Sequence, residues 1–348
     1  MLFSIGLPSR FSEWCDALLH HLVERALGSA EAVGVNGLDD LAAAAIRSNA
    51  AHLIACSRHP VARLRNEIVQ SQRPFLLALG EPRAAVRRMF EHLANVADAT
   101  RVAACSCAAM VELARAPHAL VIGPSDGRSL RQLASAIVDH FALPLDASEV
   151  QHIADQFTAV DLPAEATDTE GWWRQLSERE QEIASGALEA YSEHFSSQDI
   201  ERLVWQPELF YIGEEPVSSV LAPATRPADL TGRPRFVLYG PFINLPPGPW
   251  LADVVLGFSA EAADIGLTVE VFAGDRLAST RIEVVGEQVI ETRLGFTIED
   301  SLDEPVQIRV ATERAAFDGR VVIGYAAMQR QATVPEETRQ RLANALRR

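Results

Sequence analysis

Residues 2–28 read LFSIGLPSRFSEWCDALLHHLVERALG. Leu2–Ile5 is a short apolar run that predicts a buried strand, and Gly6-Leu7-Pro8 turns the chain. A helix is expected to follow, because Trp14, Leu18, Leu22 and Ala26 recur every four residues and so share one stripe. Ser12 is the expected N-cap of that helix, and Gly28 stands where a helix-ending glycine belongs. In a strand, tight loop and helix N-terminus, free N–H groups and the helix dipole face the loop, so the pattern predicts a phosphate-type anion cradle.

Working outward, further apolar runs at His52–Cys56, Pro74–Leu79 and Ala119–Ile122 alternate with helix-compatible stretches, among them Ala84–Val96, Ser106–Arg115 and Ser129–Phe141. Strands alternating with helices at this spacing predict βαβ units and a parallel sheet covered on both faces.

The chain has 348 residues, 48% of them apolar, enough for two domains. No apolar run approaches the ~20 residues of a membrane helix and none has the layout of a signal peptide, so a cytoplasmic protein is expected. A net charge of −16 argues against a nucleic-acid partner, which needs a basic face. Acid is concentrated in residues 161–212, with twelve Asp/Glu against three Arg, while residues 1–160 hold sixteen against fourteen. All 31 basic residues are Arg, which excludes a Walker-type lysine or a Schiff-base lysine. Cys15, Cys56, Cys105 and Cys107 match no zinc spacing, and His20-His21 have no ligand-spaced partner, so no metal is expected.

Gly6-Leu7-Pro8-Ser9-Arg10-Phe11-Ser12-Glu13-Trp14 resembles the phosphosulfate loop of sulfotransferases, Gly-x-Pro-Arg-Ser-Gly-Thr-Thr-Trp. Pro74–His92, reading PFLLALGEPRAAVRRMFEH, is similar to that family's second motif, an apolar strand, an Arg-Asp-Pro-Arg-Asp turn and a helix bearing a Ser. Ala119–Phe157 resembles its later strand and helices. The resemblance implies a P-loop α/β fold over residues 1–160, with phosphoadenosine phosphosulfate as donor in an active member. Ser9, Arg10, Ser12, Arg83, Arg87 and Arg88 are then the anion- and nucleotide-binding candidates, and His59 the candidate general base near the acceptor. The departures fall on the donor site: Phe11 and Ser12 replace Gly and Thr, Ser9-Arg10 reverses the basic residue and Ser, and Gly80 and Arg88 replace Arg and Ser. A retained fold with a dismantled donor site is expected, hence no cofactor unless the protein is an active sulfotransferase.

An acidic helical segment over 161–212, containing the amphipathic stretch Ser177–His194, closes or extends this domain, and a Pro-rich linker is expected over 213–234. Residues 235–330 read as β. Ile290, Thr292, Leu294, Phe296 and Ile298 alternate with Glu291, Arg293, Gly295 and Thr297, and turn signals separate strands at sandwich-like intervals. Gly240–Trp250, GPFINLPPGPW, resembles the Leu-Pro-x-Gly-x-Tyr opening of jelly rolls of the carbohydrate-binding-module kind. That likeness implies an aromatic glycan platform. Trp250 shares a face with Ala252, Val254, Leu256 and Phe258 and is expected inside, leaving Tyr239 and Phe242 as glycan-binding candidates. A short helix is expected over 331–348.

The expected whole is an α/β parallel-sheet, P-loop sulfotransferase-like domain followed by an all-β, jelly-roll-like sandwich. The expected role is that of a non-catalytic or catalytically altered relative in bacterial surface-polysaccharide biosynthesis or recognition, with a glycan or protein partner and a possible homo-oligomer. The alternatives are an active glycan sulfotransferase and a structural or oligomerisation protein.

Overall fold

The computed structural model describes residues 1–124, 126–157, 162–197, 200, 202–213, 221–299 and 304–331, excepting the side chains of 162–166, 193, 194, 196 and 197. The helix expected at the C-terminus lies outside these beyond Gln331, as do residues 214–220 of the expected linker.

The N-terminal half is a five-stranded sheet of β1 (Leu2–Gly6), β2 (Ala30–Gly34), β3 (His52–Ser57), β4 (Phe75–Ala78) and β5 (Ala119–Ile122), in the order β2-β3-β1-β4-β5. Every pairing is parallel, with β1 in the middle. Helices α1 (Arg10–Leu27), α2 (Leu38–Arg47), α3 (Ala62–Gln70), α4 (Pro82–Leu93), α5 (Val96–Leu113), α6 (Leu130–His140) and α7 (Ala147–Gln156) cover both faces. Successive residues of a strand point to opposite faces. Ile54, Leu76 and Ala78 therefore pack with Leu18 and Leu22 of α1, Ile137 of α6 and Ile153 of α7. Phe3, Ile5, Leu53 and Leu77 pack on the other side with Leu64 of α3, Val86 of α4 and Met110 of α5.

Two local expectations shift. Ser9, not Ser12, caps α1, its hydroxyl accepting from the Ser12 N–H at 3.1 Å, because Ser9 is extended and the chain turns helical from Arg10. The buried stripe of α1 accordingly runs through Phe11, Cys15, Leu18, Leu19, Leu22 and Val23, with Trp14 and Ala26 at its margin. Helix α5 starts ten residues before the expected Ser106. Fourteen of its 18 residues are buried, and a helix buried all round shows no 3.6-residue stripe.

Helices α8 (Leu162–Trp173) and α9 (Glu178–Ser197) follow. Ile183, Ala187, Leu188 and Tyr191 of α9 share one continuous core with α5 and with the sandwich residues Leu203 and Trp205. At Gly186 a Cβ would lie 2.6 Å from the Val204 carbonyl oxygen, so the absence of a side chain lets the helix sit against the strand.

The sandwich begins inside the stretch assigned to the acidic segment. Strands β6 (Arg202–Trp205) and β7 (Tyr211–Ile212), then β8 (Ala222–Pro223) and β9 (Ala228–Asp229) in the expected linker, all join the two sheets: β6 and β9 pair with the last strand, β7 with the first of the longer strands, and β8 with β7. Pieces of two to four residues carry too little alternation to read as strands. The longer strands are β10 (Phe236–Ile243), β11 (Gly248–Phe258), β12 (Gly266–Ala273), β13 (Asp275–Glu283), β14 (Gln288–Ile298), β15 (Val306–Thr312) and β16 (Arg320–Arg330). One sheet runs β13-β12-β15-β10-β7-β8 and the other β14-β11-β16-β6, with β9 also on β16, every pairing antiparallel. Trp250 is fully buried, as expected, its indole N–H donating to the Pro246 carbonyl at 2.9 Å, and Ala252, Val254 and Leu256 follow it into the core.

Candidate functional site

Apart from His59, the side chains singled out above fall in three places: the turn after β1, a cleft beside it, and the outer face of the six-stranded sheet.

Helices α1 and α4 leave β1 and β4 on opposite faces of the parallel sheet, so the crevice beyond these two strand ends is the topological switch point where ligands of such sheets bind. Here that crevice is filled. The Ser9 hydroxyl donates to Ser12 Oγ at 3.1 Å, and Ser12 Oγ donates to the Ala78 carbonyl at 3.2 Å, both residues being buried. A Cβ at Gly6 would meet Ser12 Oγ at 2.5 Å, and one at Gly80 would meet Ser9 Oγ at 2.8 Å. The hydroxyls of the phosphate-type turn are thus directed at each other and at the sheet.

The arginines around it are matched by acids of the same chain. Arg10 and Arg87 both approach Asp168 of α8, at 3.9 and 3.5 Å. Arg88 bridges Glu13 and Glu91, each at 2.8 Å, and those hydrogen bonds raise its pKa. Arg58 binds Asp16, which also accepts from Ser4 at 2.5 Å. His59 is elsewhere: its Nδ1 lies 3.4 Å from Ser106 Oγ, beside a cavity of about 40 Å³ shared with Arg65, Glu112 and Asn244. Ser106 is buried and His59 half-buried.

One strand over, the sheet opens. A cleft of about 700 Å³ lies beyond the ends of β4 and β5 and is closed by α9. Its walls include Leu79, Val121, Trp173, Leu188 and Phe195, and its polar groups Glu81, Arg83, Asp126, Ser185, Glu189 and Ser192. The Arg83 guanidinium lies 4.4 Å from the centre of the Trp173 ring, a cation–π contact.

On the sandwich, cross-strand register sets Tyr211, Tyr239, Arg309 and Glu270 side by side on the outer face of the six-stranded sheet. Their neighbours Leu238, Val310 and Val269 point into the core. Phe242 completes an aromatic triangle, with ring centres 6.0 Å from both Tyr211 and Tyr239, which are 5.9 Å apart. Phe242 has φ +64, in the left-handed region that an aromatic residue rarely enters, and its carbonyl accepts from Cys105 Sγ at 3.6 Å. Arg309 lies 3.4 Å from the Phe272 ring centre, donates to Gln307 at 3.1 Å and faces Glu270 at 3.7 Å. Partial burial lowers the pKa of Arg309 against the opposing pull of Glu270. Desolvation raises the phenol pKa of Tyr239 and of Tyr211, in the latter case against the nearby Arg101. Sequence reasoning singled out Tyr239 and Phe242, which the structure brings together, but not Tyr211, whose two-residue strand carries no pattern, nor Arg309, one arginine among many.

No protein family and no curated protein matches this chain by sequence. Among solved structures, the sandwich resembles carbohydrate-binding modules. One is a family-61 module solved with β-1,4-galactotriose, 15% identical, covering 37% of this chain and 88% of that one at a TM-score of 0.25. A second is the family-36 module of a multidomain xylanase from the hindgut metagenome of Trinervitermes trinervoides, 13% identical, covering 38% and 99%, with a TM-score of 0.25. A third is part of a Clostridium thermocellum xylanase solved with xylohexaose, 9% identical, covering 37% of this chain and 27% of that one at a TM-score of 0.26. The likeness is one of fold alone. Among the described residues no helix is long and apolar enough to cross a membrane.

Proposed function

We propose that this protein recognises an uncharged glycan through the outer face of its six-stranded sheet, in the assembly or recognition of a surface polysaccharide. The observation that carries this reading is the triangle of Tyr211, Tyr239 and Phe242 beside Arg309, Glu270 and Gln307. Sugar rings present apolar C–H faces that stack on aromatic rings, while their hydroxyls need donors and acceptors alongside. Glu270 faces Arg309 and Asp98 pairs with Arg101, so the two cations beside the triangle are each matched by a carboxylate, which suits a neutral chain. The φ of Phe242 costs about 1–3 kcal/mol, and such strain concentrates at binding sites.

The α/β domain, in this reading, is a scaffold without a phosphosulfate site. Supporting this are the acids that pair with Arg10, Arg87 and Arg88 and the Ser9–Ser12 bond that closes the crevice.

Affinity electrophoresis in gels containing soluble galactan or xylan tests the glycan reading. Retardation by a neutral polysaccharide, little changed by salt and weakened about tenfold or more in Tyr239→Ala at unchanged Tm, is expected. Binding that survives Tyr239→Ala intact, or its absence across the neutral panel, would sink the proposal.

A further inference from the structure

The cleft beyond β4 and β5 is separate from the aromatic face, and its charges are distributed unlike those of any other arginine cluster described above. Arg83 forms no hydrogen bond or ion pair among the described residues, although it lines the same cleft as Glu81, Asp126 and Glu189. Its guanidinium lies over the Trp173 ring, and stacking on a ring face leaves the N–H edge of the fork available. Asp126 is occupied, accepting from the Gly123 N–H at 3.2 Å and from Arg128 at 2.9 Å. Glu81 and Glu189 have no ion-pair or hydrogen-bond partner among the described residues, and both, like Arg83, are exposed. Among the described residues the cleft thus combines a guanidinium and two carboxylates that do not pair with other side chains, and an apolar lining of Leu79, Val121, Leu188 and Phe195.

We infer that this cleft binds a zwitterionic α-amino acid with an apolar side chain. The planar carboxylate matches the Arg83 fork, which favours bidentate pairing. The ammonium matches Glu189 and Glu81, and the side chain covers the apolar lining. A monoanion would use Arg83 alone and a monocation the carboxylates alone, whereas a zwitterion pairs with both. A volume of about 700 Å³ accommodates a small organic ligand with room for water.

Calorimetric titration of the full chain with three probes tests this: L-phenylalanine, L-phenylalaninamide without the carboxylate, and 3-phenylpropionate without the ammonium. Phenylalanine is expected to bind about tenfold or more tighter than either analogue. Arg83→Gln should abolish its advantage over the amide, and Glu189→Gln should reduce its advantage over phenylpropionate. Glu189 is exposed on α9, so that second variant remains informative if Arg83→Gln disturbs the packing of Trp173. No detectable phenylalanine binding, equal binding of the three probes, or an unchanged pattern in a folded Glu189→Gln variant would overturn the assignment. The glycan reading stands or falls separately, because none of these probes is a saccharide.

Discussion

The guanidinium of Arg101 lies 4.5 Å from the ring centre of Tyr211, 110 positions further along the chain. It also donates to the carbonyls of Leu209 and Glu208 at 3.3 and 3.1 Å and pairs with Asp98 on its own helix. One buried arginine of the α/β domain therefore fixes both the backbone and the ring that open the aromatic face of the sandwich. Burial lowers the Arg101 pKa, while Tyr211 and Asp98 oppose that shift.

Arg101→Ala should cost about 1.5–3 kcal/mol in urea denaturation, the scale of losing charged hydrogen bonds to buried carbonyls. It should also raise the Tyr211 pKa further, because Arg101 is the group holding it down. Spectrophotometric titration of the phenols reads that shift, and a Tyr211 titration unmoved by the substitution would show that the stacking has no electrostatic effect.

Gly186→Ala tests the seam between α9 and β6. In a free helix this substitution stabilises by about 1 kcal/mol. Here the new Cβ would meet a backbone oxygen at 2.6 Å, which cannot rotate away. The sign should reverse, with a loss of about 1–3 kcal/mol on the scale of overpacked sites. Trp250→Ala in the sandwich interior provides the contrasting case and should lose about 3–5 kcal/mol by cavity formation.

Alkaline stability follows from the buried thiols and phenols. Burial pushes the Cys105 thiol from its ordinary 9.0 up to about 11 and moves Cys15, Cys56 and Cys107 in the same direction. Buried Tyr191 is raised as well, again by desolvation. A folded state that holds a proton more tightly than the unfolded chain has its full stability below the unfolded pKa and loses it as pH rises towards the folded one. The Tm should therefore be level to about pH 9 and decline above it, through about pH 11 for Cys105. Cys105→Ala, compared with its own Tm at neutral pH, should show a shallower decline.

Phosphoadenosine phosphate should bind in the millimolar range or not at all. Arg10 and Arg87 would have to leave Asp168, and Ser9 and Ser12 would have to give up the bond between them. Micromolar binding in calorimetry, lost in Arg10→Ala, would restore an active sulfotransferase as the better reading.

Periodicity within single stretches determined much of this molecule. The apolar run Leu2–Ile5, its turn and its helix were enough to set a central parallel strand, and the alternation from Trp250 to Phe258 was enough to direct the indole inward. These are local consequences of where successive side chains point. Pairing between distant segments was decided only by the tertiary structure. Asp168 reaches Arg10 and Arg87, Trp173 supports Arg83, and Tyr211 meets Tyr239 and Phe242, because α8, α9 and the short strands after them pack against faces built by other elements. Helix α5, buried on every side, has no stripe to announce its partners. Pattern determines which face a side chain takes on its own element, whereas the burial of one element against another determines which side chains meet.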